Sequence, residues 1–129
     1  VINDSKSTSF SSSLGILKKN SKIYWLVGGI YKKGDKFNLS KKYCKNINAF
    51  IYGKNKSFFI NKLKGKIECY DFKDINDALK KIFSIIKKYK TINKTILFSP
   101  CAASFDNFRN FEERGLYFNK LVKKYLNGI

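Results

Sequence analysis

Three polar segments contain most of the side chains that could bind a charged ligand. They occupy residues 4–8, 28–34 and 99–107, and each follows a short apolar run. Their lysines and hydroxyl side chains are Lys6, Lys32, Lys33, Ser5, Ser7, Thr8 and Ser104. Ammonium groups, hydroxyls and backbone N–H groups near helix starts favour an anion, either a carboxylate or a phosphate. The sequence therefore predicts an anion site if the fold brings the three segments together.

Several kinds of chemistry are missing from this sequence. It has no histidine, which excludes a Ser-His-Asp triad and a Cys-His dyad. The three cysteines, Cys44, Cys69 and Cys101, are far apart and form no CxxC pair, so neither a disulfide framework nor a zinc site is indicated. We therefore predict no metal ligands, a reducing cytoplasmic location, and a structural role for Cys101 as a small buried residue in a tight turn.

Nucleotide-binding motifs of the common kinds are also missing. The sequence contains no GxxxxGK(S/T) loop and no GxGxxG fingerprint. The chain is therefore not expected to cradle ATP phosphates by itself, and an NAD site is not indicated.

The net charge of +18 raises the alternative of a basic nucleic-acid-binding module. Only Arg109 and Arg114 are arginines, although arginine is favoured for bidentate recognition of phosphate or guanine. The lysines are spread through nearly every segment and do not form one stripe. We therefore attribute to the positive charge an effect on solubility and non-specific adhesion, and we expect no specific nucleic-acid partner. No apolar run approaches the roughly 20 residues that span a bilayer, so no membrane association is expected either.

Short apolar runs alternate with helical patterns, which predicts one α/β domain over residues 1–129. The predicted strands cover residues 1–3, 23–27, 49–52, 67–70 and 95–98. One helix is predicted to carry Phe10, Leu14 and Leu17 on one face, and others to cover residues 39–45, 56–63 and 112–126. The clearest helix follows an Asp74 N-cap and has an apolar stripe of Ile75, Leu79, Ile82, Ile86 and Tyr89. Its lysines Lys80, Lys81, Lys87 and Lys88 should face the solvent.

This order predicts a mostly parallel, doubly wound sheet of about five to six strands flanked by helices. Ligands bind at the carboxyl ends of the strands in such sheets, where the three polar segments would converge. Structural roles remain open for the same residues. Asp4 and Thr8 could cap a helix, Gly28-Gly29 could serve only the turn, and the phenylalanines could be core residues, namely Phe105, Phe108 and Phe111.

Read as motifs, the three segments resemble one enzyme family. Residues 2–8, Ile-Asn-Asp-Ser-Lys-Ser-Thr, resemble the N-D-S-K-A/S-T segment that opens the C-terminal domain of UDP-N-acetylmuramoyl-L-alanine:D-glutamate ligases, members of the Mur ligase family. Residues 26–29, followed by Lys32 and Asp35, resemble the glycine-glycine loop of that family and its lysine. Residues 97–115 are similar to the family signature L-S-P-x-x-A-S-x-D-x-F-x-x-F-x-x-R-G. The motifs occur in the family's order and cover nearly the whole chain.

The resemblance implies a dinucleotide-binding-like, or Rossmann-like, domain that is the third of three in the full enzyme. The absence of methionine also leads us to expect a domain of a longer protein, without the N-terminal UDP-substrate domain and the central ATPase domain. The family uses ATP and Mg²⁺ to convert the carboxylate of UDP-N-acetylmuramoyl-L-alanine into an acyl phosphate. The amine of D-glutamate attacks this group and forms a tetrahedral intermediate, which then loses phosphate. This reaction is a step of peptidoglycan precursor synthesis. We expect a monomer, inactive as an isolated domain.

The resemblance also assigns roles to single residues. Lys6 would be catalytic, close to the γ-phosphate and the developing charge, and Asp4 would contact the nucleotide ribose. The residues around D-glutamate would be Thr8, Lys32, Ser104, Phe105 and Phe111. Phe105 stands where the family often has leucine, and Lys33 competes with Lys32 for the family's lysine, although we prefer Lys32. A sister Mur-type ligase with a different amino acid is the alternative within the family.

Overall fold

The predicted strands form one five-stranded sheet in a computed structural model, which describes residues 1–7, 9–10, 13–18, 22–31, 34–88, 94–101 and 108–127. The strands are β1 (Ile2–Asn3), β2 (Lys22–Gly28), β3 (Ile47–Tyr52), β4 (Glu68–Phe72) and β5 (Lys94–Phe98). Their order across the sheet is β1-β5-β2-β3-β4, and every neighbouring pair is parallel. The predicted α/β class and parallel sheet are confirmed.

Helices cover both faces of this sheet, as the doubly wound prediction requires. They are α1 (Leu14–Leu17), α2 (Lys41–Cys44), α3 (Lys56–Leu63), α4 (Ile75–Lys88) and α5 (Phe111–Asn127). The first three helices contribute to a core cluster on one face, and α4 and α5 contribute to a cluster on the other. The inner strand β2 is buried between the two clusters, which explains its continuous apolar sequence. Its residues alternate between the clusters: Ile23, Trp25 and Val27 join the first, Tyr24 and Leu26 the second.

The helix after Asp74 forms as predicted. The Oδ1 atom of Asp74 accepts a hydrogen bond of 2.9 Å from the backbone N–H of Asp77, which satisfies a donor at the helix start. The apolar stripe is buried at Ile75, Leu79 and Ile82 and half-buried at Ile86, whereas the four lysines named above are exposed. Tyr89 lies outside the described residues.

The predicted helix through Phe10, Leu14 and Leu17 is wrong in its extent. The helix begins only at Leu14, and Phe10 precedes it in non-helical backbone. Phe10 is nevertheless fully buried, because its ring packs against the rings of Trp25, Phe37, Phe58 and Phe59. Tertiary packing, and not helical periodicity, therefore explains its apolar side chain.

One further difference concerns the end of a strand. Strand β4 reaches Phe72, two residues beyond the predicted end at Tyr70, because it continues to pair with β3 as far as Tyr52. None of the helices in the described part of the chain is long and apolar enough to cross a membrane.

Candidate functional site

The polar segments after β1, β2 and β5 meet at the carboxyl edge of the sheet. These three strands are neighbours in the order β1-β5-β2. Backbone hydrogen bonds also connect the chain where the strands end. The N–H of Asp4 donates to the carbonyl of Phe98 at 2.7 Å, and the N–H of Gly28 donates to the carbonyl of Pro100 at 3.0 Å. The predicted convergence is thus confirmed for the described parts of the three segments.

A buried cluster of hydroxyl groups joins the segments after β1 and β5. Ser7, Ser13 and Ser99 are at most 1% exposed. The Oγ atom of Ser7 accepts a hydrogen bond of 2.8 Å from the backbone N–H of Cys101 and lies 3.1 Å from Ser99 Oγ and 3.2 Å from Ser13 Oγ. Ser13 and Ser99 are also hydrogen-bonded to each other. The cluster holds the loops together, so Ser7 is used within the protein and not as the ligand-binding hydroxyl that the sequence suggested.

Asp4 is attached to the same cluster. Its carboxylate is half-buried, and Oδ2 accepts a hydrogen bond of 2.8 Å from Ser99 Oγ. This bond fixes the orientation of the carboxylate at the sheet edge. The structure does not show Asp4 capping a described helix, and its contact with a ribose remains a prediction.

Cys101 is a buried structural residue, in agreement with its interpretation from the sequence. Burial raises the pKa of its thiol to about 12, although hydrogen bonds with Ser13 and Ser7 partly oppose the shift. Its backbone has a φ of 58°, in the left-handed region that residues other than glycine rarely adopt. A fully buried thiol that stays protonated is not a nucleophile at neutral pH.

The Gly28-Gly29 pair has a steric explanation at its first position. A Cβ atom on Gly28 would lie 2.2 Å from the carbonyl oxygen of Tyr52 in β3. Gly28 therefore permits the close approach of β2 and β3 at the site edge. Asp35, further along the same segment, accepts a hydrogen bond of 2.9 Å at Oδ2 from the N–H of Phe10, which ties the β2 segment to the β1 segment.

Lys6 and Phe111 both line one surface cavity of about 390 Å³. Lys6 is exposed in the segment after β1, and Phe111, the first residue of α5, is 43% exposed. The interpretation of Phe111 as a core residue is therefore wrong. Leu116 and Glu112 also line the cavity. It offers a cation and an aromatic ring to a small ligand, with one carboxylate nearby.

Four of the seven predicted site residues lie outside the described residues: Thr8, Lys32, Ser104 and Phe105. Of the other three, Lys6 and Phe111 line the same cavity, whereas Asp4 is not among its lining residues and is bonded to Ser99 instead.

The sequence reasoning missed the role of Arg114. This side chain is 1% exposed, and its guanidinium group donates to Ser5 Oγ at 3.2 Å and to the carbonyl oxygens of Ser5 and Ser7. Ser5 is also buried and lines the cavity, but its hydroxyl donates to the carbonyl of Phe111 at 2.7 Å and accepts from Arg114, so both bonds serve the protein. The available signal was an arginine on the apolar face of a predicted helix, beside a glycine.

No protein-family model matches the chain. Similar proteins nevertheless share most of its length. It is 36% identical over 128 residues, or 98% of the chain, to a UDP-N-acetylmuramoylalanine--D-glutamate ligase from Hydrogenobaculum sp. (strain Y04AAS1). It is 38% identical over 95% of the chain to the same-named ligase of Wolbachia sp. subsp. Brugia malayi (strain TRS), and 39% identical over 95% to that of Rickettsia prowazekii (strain Madrid E).

The chain corresponds to one segment of these D-glutamate ligases. It spans 30%, 24% and 28% of the lengths of these three relatives, respectively. The resemblance inferred from the three motifs is thereby confirmed. All three relatives carry the name UDP-N-acetylmuramoylalanine--D-glutamate ligase.

Proposed function

We propose that residues 1–129 form the D-glutamate-binding domain of the ATP-dependent ligase that joins D-glutamate to UDP-N-acetylmuramoyl-L-alanine in peptidoglycan precursor synthesis. One observation carries the proposal. The cavity shared by Lys6 and Phe111 lies beside the edge where all three motif segments converge. A small ligand at this edge is expected for an open parallel sheet.

Lys6 supports the proposal through its charge and exposure. The reaction first transfers the γ-phosphoryl group of ATP to the substrate carboxylate and releases ADP. Attack by the amine then creates an oxyanion, and phosphate leaves as the amide forms. A fixed ammonium group near these oxygens would stabilise the negative charge in both steps. The Lys6 side chain is exposed, so it can reach a phosphoryl group bound to another part of the ligase.

ATP and Mg²⁺ would be bound mainly outside this chain. Asp4 and Lys6 suit a ribose hydroxyl and a phosphate oxygen, respectively, because a carboxylate accepts hydrogen bonds and an ammonium group donates them. Magnesium would neutralise phosphate charge when bound. Among the described residues, no group of three or more Cys, Asp or Glu side chains is placed to hold it. We therefore propose that the nucleotide phosphates and the central domain are its main ligands.

D-glutamate would occupy the space next to Phe111. A dianionic amino acid needs fixed cations and hydrogen-bond donors, which Lys32, Thr8 and Ser104 would provide, with Phe105 contributing packing. Closure of this domain on the central domain would exclude water from the acyl phosphate. The isolated domain would be inactive, since the ATP-binding loop belongs to the central domain.

We also propose that the ligase is a cytoplasmic monomer. Its three cysteines are free thiols, as is usual in a reducing compartment. Both nucleotide substrates would be available there.

The decisive experiment measures D-glutamate-dependent ADP release by the complete ligase. Lys6→Ala should lower the rate about 100-fold or more, which is typical when a charge-stabilising donor is removed from an active site. Lys80→Ala, which removes an exposed lysine on α4, is the matched control and should leave the rate unchanged. A near-normal rate for Lys6→Ala would contradict the proposal. A panel of amino acids tested on the intact enzyme would separate the D-glutamate ligase from a sister ligase.

A further inference from the structure

We propose that Arg114 is a positioning residue that fixes the backbone on both sides of Lys6. The proposal rests on the function proposed above. Arg114 lies in α5 and is 1% exposed, which is unusual for an arginine. Its Nη2 atom donates to the carbonyl of Ser5 and, at 3.5 Å, to the carbonyl of Ser7. Because these residues flank Lys6 in the chain, one guanidinium group holds the segment before and after the lysine.

The same contacts connect Lys6 to Phe111. Ser5 Oγ accepts a hydrogen bond of 3.2 Å from Arg114 Nε and donates one of 2.7 Å to the carbonyl of Phe111. Lys6 and Phe111, which share the cavity, are therefore linked through a single buried hydroxyl and a single guanidinium group. A shift of Arg114 would act first on the backbone that carries Lys6, since the guanidinium group itself bonds the carbonyls of Ser5 and Ser7.

Asn3 forms a second set of hydrogen bonds between β1 and α5, beginning at the residue after Arg114. Asn3 Nδ2 donates to the carbonyl of Gly115 at 3.0 Å and to Asn119 Oδ1 at 2.9 Å. A Cβ atom on Gly115 would lie only 3.1 Å from the Cβ atom of Ser5, so the glycine allows α5 to approach the segment closely. This approach brings the guanidinium group within reach of the two carbonyls.

Lysine cannot replace arginine in this arrangement. A guanidinium group is a rigid, planar fork of five donors, whereas an ammonium group is a point charge on a flexible stem. Arg114→Lys would preserve the charge but not the simultaneous contacts to Ser5 Oγ and the two carbonyls. A catalytic group displaced by about 1 Å can lose about 100-fold in rate. We therefore expect kcat for D-glutamate-dependent ADP release to fall about 10- to 100-fold, with the KM for the UDP-linked substrate unchanged.

The test is a double-mutant cycle in the complete ligase. It compares Lys6→Ala, Arg114→Lys and the double variant, with the unfolding midpoint of each recorded. If Arg114 acts through Lys6, then Arg114→Lys lowers kcat in the wild-type background but changes it less than about two-fold once Lys6 is absent. Arg109→Lys is the matched control: this arginine is 90% exposed, pairs with Glu113, and should show wild-type kinetics.

The possible outcomes separate the two proposals. Independent effects that multiply in the double variant would show that Arg114 does not act through Lys6 and would overturn the inference. A slow Lys6→Ala variant together with a normal, folded Arg114→Lys variant would overturn it as well, while leaving the proposed function intact. A normal Lys6→Ala variant would instead refute the site assignment itself.

Ser5→Ala keeps the inference testable if Arg114→Lys fails to fold. This smaller change removes only the hydroxyl between Arg114 and Phe111. Because this hydroxyl accepts from Arg114 Nε, its loss should loosen the guanidinium group beside Lys6, lower kcat several-fold in the wild-type background and change it less than about two-fold beside Lys6→Ala. Multiplicative effects would again overturn the inference.

Discussion

Ser7→Ala should destabilise the chain although it deletes only one oxygen atom. Ser7 Oγ is the acceptor for the backbone N–H of Cys101, a fully buried residue, and lies within hydrogen-bonding distance of Ser13 and Ser99. Alanine would leave that N–H without this acceptor, and an unsatisfied buried donor costs about 1–3 kcal/mol. Ser13 and Ser99 remain bonded to each other, and Ser99 also to Asp4, so we expect a total near the middle of that range.

Urea unfolding of the 129-residue chain, followed by fluorescence of Trp25, measures this loss. Trp25 is fully buried, and its Nε1 donates to the carbonyl of Ser99 at 2.8 Å, so it reports on the same region. With a slope of about 2 kcal/mol per molar urea, a loss of about 2 kcal/mol lowers the midpoint by about 1 M. The matched control is Ser84→Ala, because Ser84 is exposed on α4 and its hydroxyl bonds only locally, to the carbonyl of Lys81. Equal midpoints for the Ser7 and Ser84 variants would refute the argument that the hydroxyl cluster holds the loops.

Three further predictions concern residues at the sheet edge. Gly28→Ala should destabilise the chain by about 3 kcal/mol or more, as severe overpacking can, because the new Cβ atom would lie 2.2 Å from the carbonyl oxygen of Tyr52. The control is Gly15→Ala, whose new Cβ atom would have no atom within 4 Å. Similar urea midpoints for the two variants would contradict the steric explanation. The raised pKa of Cys101, about 12 against an ordinary value of 9.0, should make it the slowest thiol in alkylation at pH 8 followed by mass spectrometry, with half-buried Cys69 faster. The same shift means that the folded chain retains a proton that the unfolded chain loses, so this contribution to stability is complete below about pH 9 and is lost as the pH rises toward 12. Faster alkylation of Cys101 than of Cys69, or a urea midpoint independent of pH over that interval, would count against a desolvated thiol.

The sequence correctly predicted those elements whose local pattern reflects one physical requirement. The continuous apolar run of β2 predicted a strand buried on both faces, and Asp74 before an amphipathic stripe predicted the start of α4. The convergence of the three polar segments followed from the rule for parallel sheets and not from the segments themselves.

Other features depend on contacts between distant residues. Phe10 is buried by rings from β2, α3 and the segment after β2, so helical spacing misassigned it. Arg114 contacts residues more than 100 positions away, so its place on the apolar face of a helix could indicate burial but not the groups that its guanidinium contacts. Ser5 and Ser7 illustrate the same limit, because hydroxyl side chains in a polar segment can face either a ligand or the protein.

The central claim is that a small acidic amino acid binds in the cavity that Lys6 and Phe111 line, at the carboxyl edge of the sheet. A crystal structure of the complete ligase with D-glutamate bound tests it most directly. We predict D-glutamate in van der Waals contact with Phe111, at the cavity that Lys6 also lines. D-glutamate bound at the opposite edge of the sheet, or beside β4, would contradict the account.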